Sequence, residues 1–224
     1  MSWRRIRSEI IAVGDVDKRV SHCNTLREAL RVILGTELAL DVETEELDED
    51  VVEADLEAIM QRDPAAFSAV TSMMFYKGFK AVQAYRISHL LWKKGTKGAI
   101  IKSLLIQSRI SQVYSIDVHP GAEIGRGFVL DHGTGTVIGE TAVIGPNCTL
   151  MHAVTLGSSG SPTRSKRHPT LLDNVFVGAG ATLLGDITIG PGSKIGAGAV
   201  VTKSFPLGNV TLVGNPAAPL RSKI

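Results

Sequence analysis

Cysteine is scarce in this chain. Cys23 and Cys148 are the only two among 224 residues, and they have no CxxC spacing. Two thiols so placed cannot form a disulfide framework, and a reducing, cytoplasmic setting is the expectation. Aromatic residues make up 5% of the chain. No apolar run approaches the roughly 18 residues of a spanning helix. Charge of one sign is also missing: 24 basic residues stand against 22 acidic ones, a net of +2. That balance points neither to nucleic acid nor to a membrane surface. The opening MSWRRIRSEI carries Glu9 and lacks an apolar stretch with a small-residue cleavage site. A secretory signal is not expected, and a transit peptide is the lesser alternative. The phosphate-loop, dinucleotide and GxSxG hydrolase patterns are absent.

What is present falls into two halves with different periods. Residues 1–112 hold few glycines and read as a helical domain. Thr25-Leu-Arg-Glu28 is a capping box opening a helix to about Leu34, with Gly35 as its stop. Acidic residues 43–50 lead into a helix whose apolar positions are Val51, Leu56, Ile59 and Met60. Asp63-Pro64 reads as the cap and first residue of the next helix. Two more helices are expected at about 79–93 and 98–112.

From about residue 113 to 204 the beat is six. Val118, Ile124 and Leu130 keep it, then Ile138 to Leu156, then Leu171 to Val201, with glycine often following the aliphatic residue. Neither 3.6 nor 2 produces that pattern. A short fixed repeat means stacked units that are each too small to bury a core alone. The expected form is a β-helix of short parallel strands, each turning one aliphatic residue inward. The fold class is thus α+β, closed by a tail at 205–224.

The beat breaks twice. Leu130-Asp131-His132-Gly133-Thr134-Gly135 inserts two residues, and the fifteen residues from Leu156 to Leu171 exceed the twelve that would keep register. The second break holds the polar, basic excursion 158–170, and loops on a rigid scaffold commonly carry function.

His132 beside Asp131, one coil beyond Asp117-Val-His119-Pro120, suits a general base held by a carboxylate. A corner histidine satisfied by backbone is the competing reading, and His119 has a turn role open to it. Arg167-His168-Pro169 suits carboxylate binding beside a reacting group, or else a solvated basic loop. Asp63 needs no role beyond its helix cap. A zinc site of three histidines is not expected, because the six histidines offer no close pair on one strand.

RDPAA (62–66), KGFKAVQAYRISHLLW (77–92), VYSIDVHPGAEIGRGFVLDHGTGTVIGETAVIG (113–145), TLG (155–157), KRHPTL (166–171), VGAGATLLGDITIGPGSKIGAGAVV (177–201) and GNPA (214–217) together resemble the serine acetyltransferase family. The resemblance implies a left-handed β-helix, three chains around an axis, and acetyl-CoA in a groove between neighbours. It implies acetyl transfer from acetyl-CoA to the hydroxyl of L-serine, in cysteine biosynthesis. His132 would be the base, paired with Asp117. Asp63, Asp131 and Arg167 would hold the amino acid, with His168 near the reacting oxygen. Gly157, Ala179 and Ala197 would line the coenzyme groove, and no metal is implied. Only about 50 residues precede the matching part, where the family usually has a longer helical region joining two trimers. Trimer and dimer of trimers therefore both stay open. The terminal Ile224 would dock to O-acetylserine sulfhydrylase. Two rivals remain: an acetyltransferase for another small hydroxyl acceptor, and a non-catalytic β-helix that binds a sulfhydrylase.

Overall fold

The computed structural model describes residues 3–13, 18–160 and 165–220. Helices come first: α1 (Trp3–Val13), α2 (Lys18–Ser21), α3 (Leu26–Leu38), α4 (Glu49–Arg62), α5 (Ala69–Phe75), α6 (Lys77–Lys93) and α7 (Lys97–Tyr114). Fifteen short strands follow: β1 (Asp117–Val118), β2 (Glu123–Ile124), β3 (Val129–Leu130), β4 (Val137–Ile138), β5 (Val143–Ile144), β6 (Thr149–Leu150), β7 (Thr155–Gly157), β8 (Thr170–Leu171), β9 (Phe176–Val177), β10 (Thr182–Leu184), β11 (Thr188–Ile189), β12 (Lys194–Ile195), β13 (Val200–Val201), β14 (Thr211–Val213) and β15 (Ala218–Pro219).

The strands wind into a three-faced β-helix. Face 1 is β1-β4-β7-β10-β13, face 2 is β2-β5-β8-β11, and face 3 is β3-β6-β9-β12-β14-β15. All pairings between successive coils are parallel, and only the terminal β15 runs antiparallel, on β14. The six-residue beat is the inward column. Of the aliphatic positions read from the sequence, Ile124 alone is half-buried and the others from Val118 to Val201 are buried. Pairing continues past residue 204, since β14 lies on β12 with Ile195 opposite Leu212.

Register measures both breaks. Val137 pairs with Thr155, 18 residues on, which is one regular coil. Asp117 pairs with Val137, 20 residues on, so the break at LDHGTG is a two-residue insertion. Val143 pairs with Thr170, 27 residues on. The excursion is therefore nine residues longer than a regular coil. The expected excess of three was wrong because Leu171 follows Leu156 by one step of the helix, not two.

The helical region departs from expectation at its caps. Thr25 Oγ1 does accept from Glu28 N–H (3.1 Å), while the Glu28 carboxylate takes the Asn24 N–H (2.6 Å), one residue beyond the Thr25 cap. Gly35 does not stop α3. The helix runs to Leu38 and ends at Ala39 in the left-handed region (φ 52), whose N–H bonds Gly35 O. A glycine costs a helix about 1 kcal/mol, and the buried Ile33, Leu34 and Leu38 around it hold the turn. Asp63 caps the C-terminus of α4, not the N-terminus of a new helix. The next helix begins at Ala69 under a Ser68–Thr71 capping box. Within α4, Val52 enters the core in place of Val51.

Two contacts seat the helices on the first coils. Asp55, fully buried, accepts from Gln83 Nε2 (2.9 Å), Arg86 Nε (2.8 Å) and the Phe128 N–H (2.9 Å). Arg86 donates onward to Ile124 O (3.1 Å) and Gly125 O (2.9 Å), so no charge in this buried pair lacks a partner. Gly78, in the first turn of α6, lies so close to β3 that a Cβ would stand 2.0 Å from Leu130 O. Only glycine lets the helix start there, one residue before Asp131.

Candidate active site

The two-residue insertion turns the chain outward at the corner joining face 3 to face 1. His132 (φ 56) and Gly133 (φ 74) are both left-handed, and the Gly133 N–H closes on Asp131 O at 2.6 Å. Gly133 is required: a Cβ would meet Ile116 Cδ1 at 2.7 Å and Leu130 Cγ at 2.9 Å. A left-handed non-glycine residue costs on the order of 1 kcal/mol or more, and here it throws the imidazole clear of the wall. The His132 side chain is 74% exposed, with Nε2 3.7 Å from Asp131 Oδ1. Asp117 lies in the coil below, its N–H bonded to Thr136 O (2.9 Å), and its Oδ1 accepts from Gln107 Nε2 (2.7 Å). The carboxylate nearest His132 is thus Asp131, not the expected partner Asp117.

Asp63 arrives from the helical region. Its Oδ1 accepts from Ala65 N–H (2.8 Å) in the turn after α4, and the residue lines a cavity of about 360 Å³ with Tyr76, Lys77, Asp131 and His132. Tyr76 reports the acidity of this groove: burial first, then Asp63 and Asp131, raises its phenol above the usual value. Lys77 Nζ donates to Thr134 Oγ1 of the inserted turn. His152, one coil on, lies edge-on to His132 with ring centroids 6.0 Å apart.

Arg167 and His168 lie at a different corner, where face 1 passes to face 2. Thr141 organises them. Its hydroxyl accepts the N–H groups of Arg167 (3.0 Å) and His168 (3.1 Å) and contacts His168 Nδ1 (2.9 Å), which also accepts the Thr141 N–H (3.1 Å). A ring accepting at Nδ1 is neutral with its proton on Nε2. Burial, then Arg167 and Lys166, lowers the His168 pKa in agreement. The ring lies against Gly139, where a Cβ would come to 2.1 Å from Cδ2 and 2.2 Å from Nε2. Arg167 Nη2 is bonded to Glu140, and this donor holds the Glu140 carboxyl below its ordinary value against the effect of burial. His119 stands beside this cluster as a turn residue: its Nδ1 accepts the Gly121 N–H (3.0 Å), its ring meets Trp92 edge-on at 5.0 Å, and burial lowers its pKa.

The coenzyme candidates divide in the same way. Ala179 and Ala197 follow β9 and β12 at the corner of His132, stacked by Gly198 N–H on Ala179 O (2.8 Å). Gly157 ends β7 at the corner of His168. One face spans a six-residue step, about 15–20 Å at roughly 3.3 Å per residue. The candidates therefore form two groups a face apart, and no hydrogen bond or ion pair among the described residues joins them. Glu140, Thr141, Tyr76 and His152 were missed from the sequence. Glu140 and Thr141 read there as ordinary repeat residues, and only stacking shows that they hold 166–168. Among the described residues no three histidine, cysteine or acidic side chains cluster as a metal site.

Stacked six-residue steps with a single long excursion define a hexapeptide-repeat protein of the acyltransferase class. The pattern for bacterial transferase hexapeptide repeats matches residues 168–203, and that for the serine acetyltransferase N-terminal region matches 42–84. A serine acetyltransferase of Salmonella typhimurium is 38% identical over 237 residues, covering 96% of this chain and 85% of that one. The crystal structure of Neisseria gonorrhoeae serine acetyltransferase in complex with serine superposes with a TM-score of 0.87 at 37% identity, covering 99% and 97% of the two chains. The Brucella abortus enzyme in complex with coenzyme A gives 0.88 at 34% identity, covering 97% and 94%. This chain belongs to the serine acetyltransferase family. Some relatives are longer: the match spans 58% of a Buchnera aphidicola serine acetyltransferase and 45% of an Arabidopsis thaliana one.

Proposed function

We propose that this protein transfers the acetyl group of acetyl-CoA to the hydroxyl of L-serine, giving O-acetyl-L-serine and CoA. The division of charge carries the reading. One corner presents two carboxylates and an exposed imidazole, the other a neutral imidazole and a guanidinium that Glu140 now holds and that a substrate carboxylate would have to share or take over. A zwitterion with a hydroxyl matches both: ammonium toward Asp63 and Asp131, carboxylate toward Arg167, hydroxyl at His132. The hydroxyl is a weak nucleophile, so His132 takes its proton as oxygen attacks the thioester, and as the C–S bond breaks the imidazolium returns that proton to the departing CoA sulfur. Asp117, in the coil below, would orient the ring and stabilise the imidazolium, which requires the His132 side chain to turn from Asp131 toward it. His168, neutral with Nε2–H, is a donor beside the reacting oxygen. Ala179, Ala197 and Gly157 leave room along the corners for the pantetheine. The serine and coenzyme A complexes of the relatives support the two substrates.

The two corners of one chain stand too far apart to grip one serine, so the proposal includes a homotrimer in which each site joins the His132 corner of one copy to the Arg167 corner of the next. Whether two trimers pair is left to the same experiment. Thiol release from acetyl-CoA with serine, against sugars and other hydroxy amino acids, tests the acceptor. No release with any of these leaves the non-catalytic reading. Mixing His132→Ala and Arg167→Ala chains during refolding, assayed at serine well below KM where both parents are impaired, tests the shared site: activity above the sum of the two parents supports it, and an active monomer by light scattering refutes it. A cytoplasmic location is part of the proposal, checked by cell fractionation. So is docking of a sulfhydrylase by Ile224, a residue outside those described. Burying one isoleucine is worth roughly 1.5–3 kcal/mol. Deleting it should weaken that complex about tenfold or more without touching acetyl transfer, as calorimetry would show.

A further inference from the structure

We infer that Arg62 is a positioning residue that sets the serine affinity by fixing its neighbour Asp63 against the β-helix; this rests on the reading of Asp63 as an acceptor ligand. Arg62 is the last residue of α4. An arginine there ordinarily reaches into solvent or caps its own helix. Arg62 instead crosses to the first two coils. Nη1 donates to Gly127 O (3.0 Å), Cys148 O (3.3 Å) and Thr149 Oγ1 (3.2 Å), and Nη2 donates to Asn147 Oδ1 (3.2 Å).

Every one of those acceptors is neutral, so the contact is a geometric clamp and not an ion pair. Burial lowers the Arg62 pKa accordingly. The corner is shaped for it. Gly127 has φ +67, and a Cβ there would come to 2.4 Å from Asn147 Oδ1 and 3.7 Å from Arg62 Nη2.

The next residue is Asp63, at which the helix ends. Its N–H still bonds Ile59 O (2.9 Å), and its C=O and carboxylate hold the turn through Ala66 N–H (3.1 Å) and Ala65 N–H (2.8 Å). That turn carries the carboxylate to the groove shared with Asp131 and His132. None of these turn bonds reaches the β-helix. Among the ties of α4 to the coils are Asp55 to the Phe128 N–H, two turns earlier, and Arg62 at its end. The first secures the fold, and the second decides where Asp63 stands. A misplacement of about 1 Å in a binding group can cost up to about 100-fold, so the clamp acts on serine and not on the coenzyme.

Steady-state kinetics on the full-length oligomer test this. Arg62→Ala should raise the KM for serine about tenfold, with kcat and the KM for acetyl-CoA nearly unchanged. Arg62→Lys should recover only part of the loss, because an ammonium cannot reproduce the planar fork. Thr149→Val, which removes one acceptor, should give the same split at smaller size. The Arg62→Ala/Asp63→Asn double variant should match Asp63→Asn alone, since one residue acts through the other. Equal rises in both KM values, a fall in kcat alone, or additive effects in the double variant would overturn the clamp. If Arg62→Ala does not fold, an unchanged serine KM in both Arg62→Lys and Thr149→Val overturns it. If Asp63→Asn raises the serine KM and the Arg62 variants do not, the clamp falls alone. An unchanged KM in Asp63→Asn removes the acceptor role itself and the clamp with it.

Discussion

The two corners of the β-helix hold histidines in opposite states. His132 is thrown out by an inserted turn and stands 74% exposed. His168 is buried, pinned through Nδ1 by Thr141 and pressed on Gly139. The difference teaches what each ring is free to do. An exposed imidazole is free to change rotamer beside Asp131. A ring locked as the Nε2–H tautomer can donate one hydrogen bond from a set position but is badly placed to act as a base. In the proposed reaction the corner with the free ring would supply proton transfer, and the corner with the pinned ring alignment.

The sharpest break in that comparison is His132→Ala. Turnover should fall about 10²–10⁴-fold, the scale of a lost general base, while the thermal midpoint barely moves, because the exposed ring packs on nothing in the core. Near-normal turnover would transfer the base role to the other corner. At that corner Gly139→Ala should be felt next. The added methyl meets the His168 ring, and overpacking of this kind costs about 1–3 kcal/mol. Activity and melting temperature should drop together, and a crystal structure of the variant should show the ring displaced. If neither changes, His168 is not held by that contact.

Arg167→Ala should raise the KM for serine about tenfold, the scale of a lost charged hydrogen bond, and the KM for acetyl-CoA less. Equal effects would make 165–170 a general lid. The smallest effect is a titration. His168 should have a pKa below its usual 6.5 by NMR. Folding favours the neutral ring, so this contribution is complete above pH 6.5 and is lost as pH falls toward the folded-state value. Thr141→Val removes the hydroxyl at Nδ1 and should move that pKa up. A normal or raised pKa in the parent protein would place the proton differently and undo the contrast with His132.

Much of this was legible in residues 113–204, because a repeat protein reports its tertiary structure locally. Each aliphatic residue at the six-residue beat packs within its own coil, so period and burial coincide from Val118 to Val201 at every position but the half-buried Ile124. The insertion at LDHGTG was legible for the same reason. The size of the excursion was not, since an aliphatic at 171 fits the beat whether it is one step or two beyond Leu156. The helical half was read less well. Thr25 was found, but Gly35 passes through α3 and Asp63 ends a helix where it was expected to start one. Cap signals are short and fit either end of a helix, and packing decides between them.

Sequence alone therefore determined the β-helix, its interruptions and the residue types able to do chemistry, because all three depend on spacing along the chain. Tertiary structure decided which of those residues face one another. Asp63 meets Asp131 only because Arg62 and Asp55 bind α4 to coils more than sixty residues further along the chain. Arg167 meets Glu140 only because the excursion folds back over the corner of an earlier coil. The candidates divide between two corners because a three-faced coil turns every six residues, and a linear pattern carries the period of that turn but not the side on which each side chain emerges.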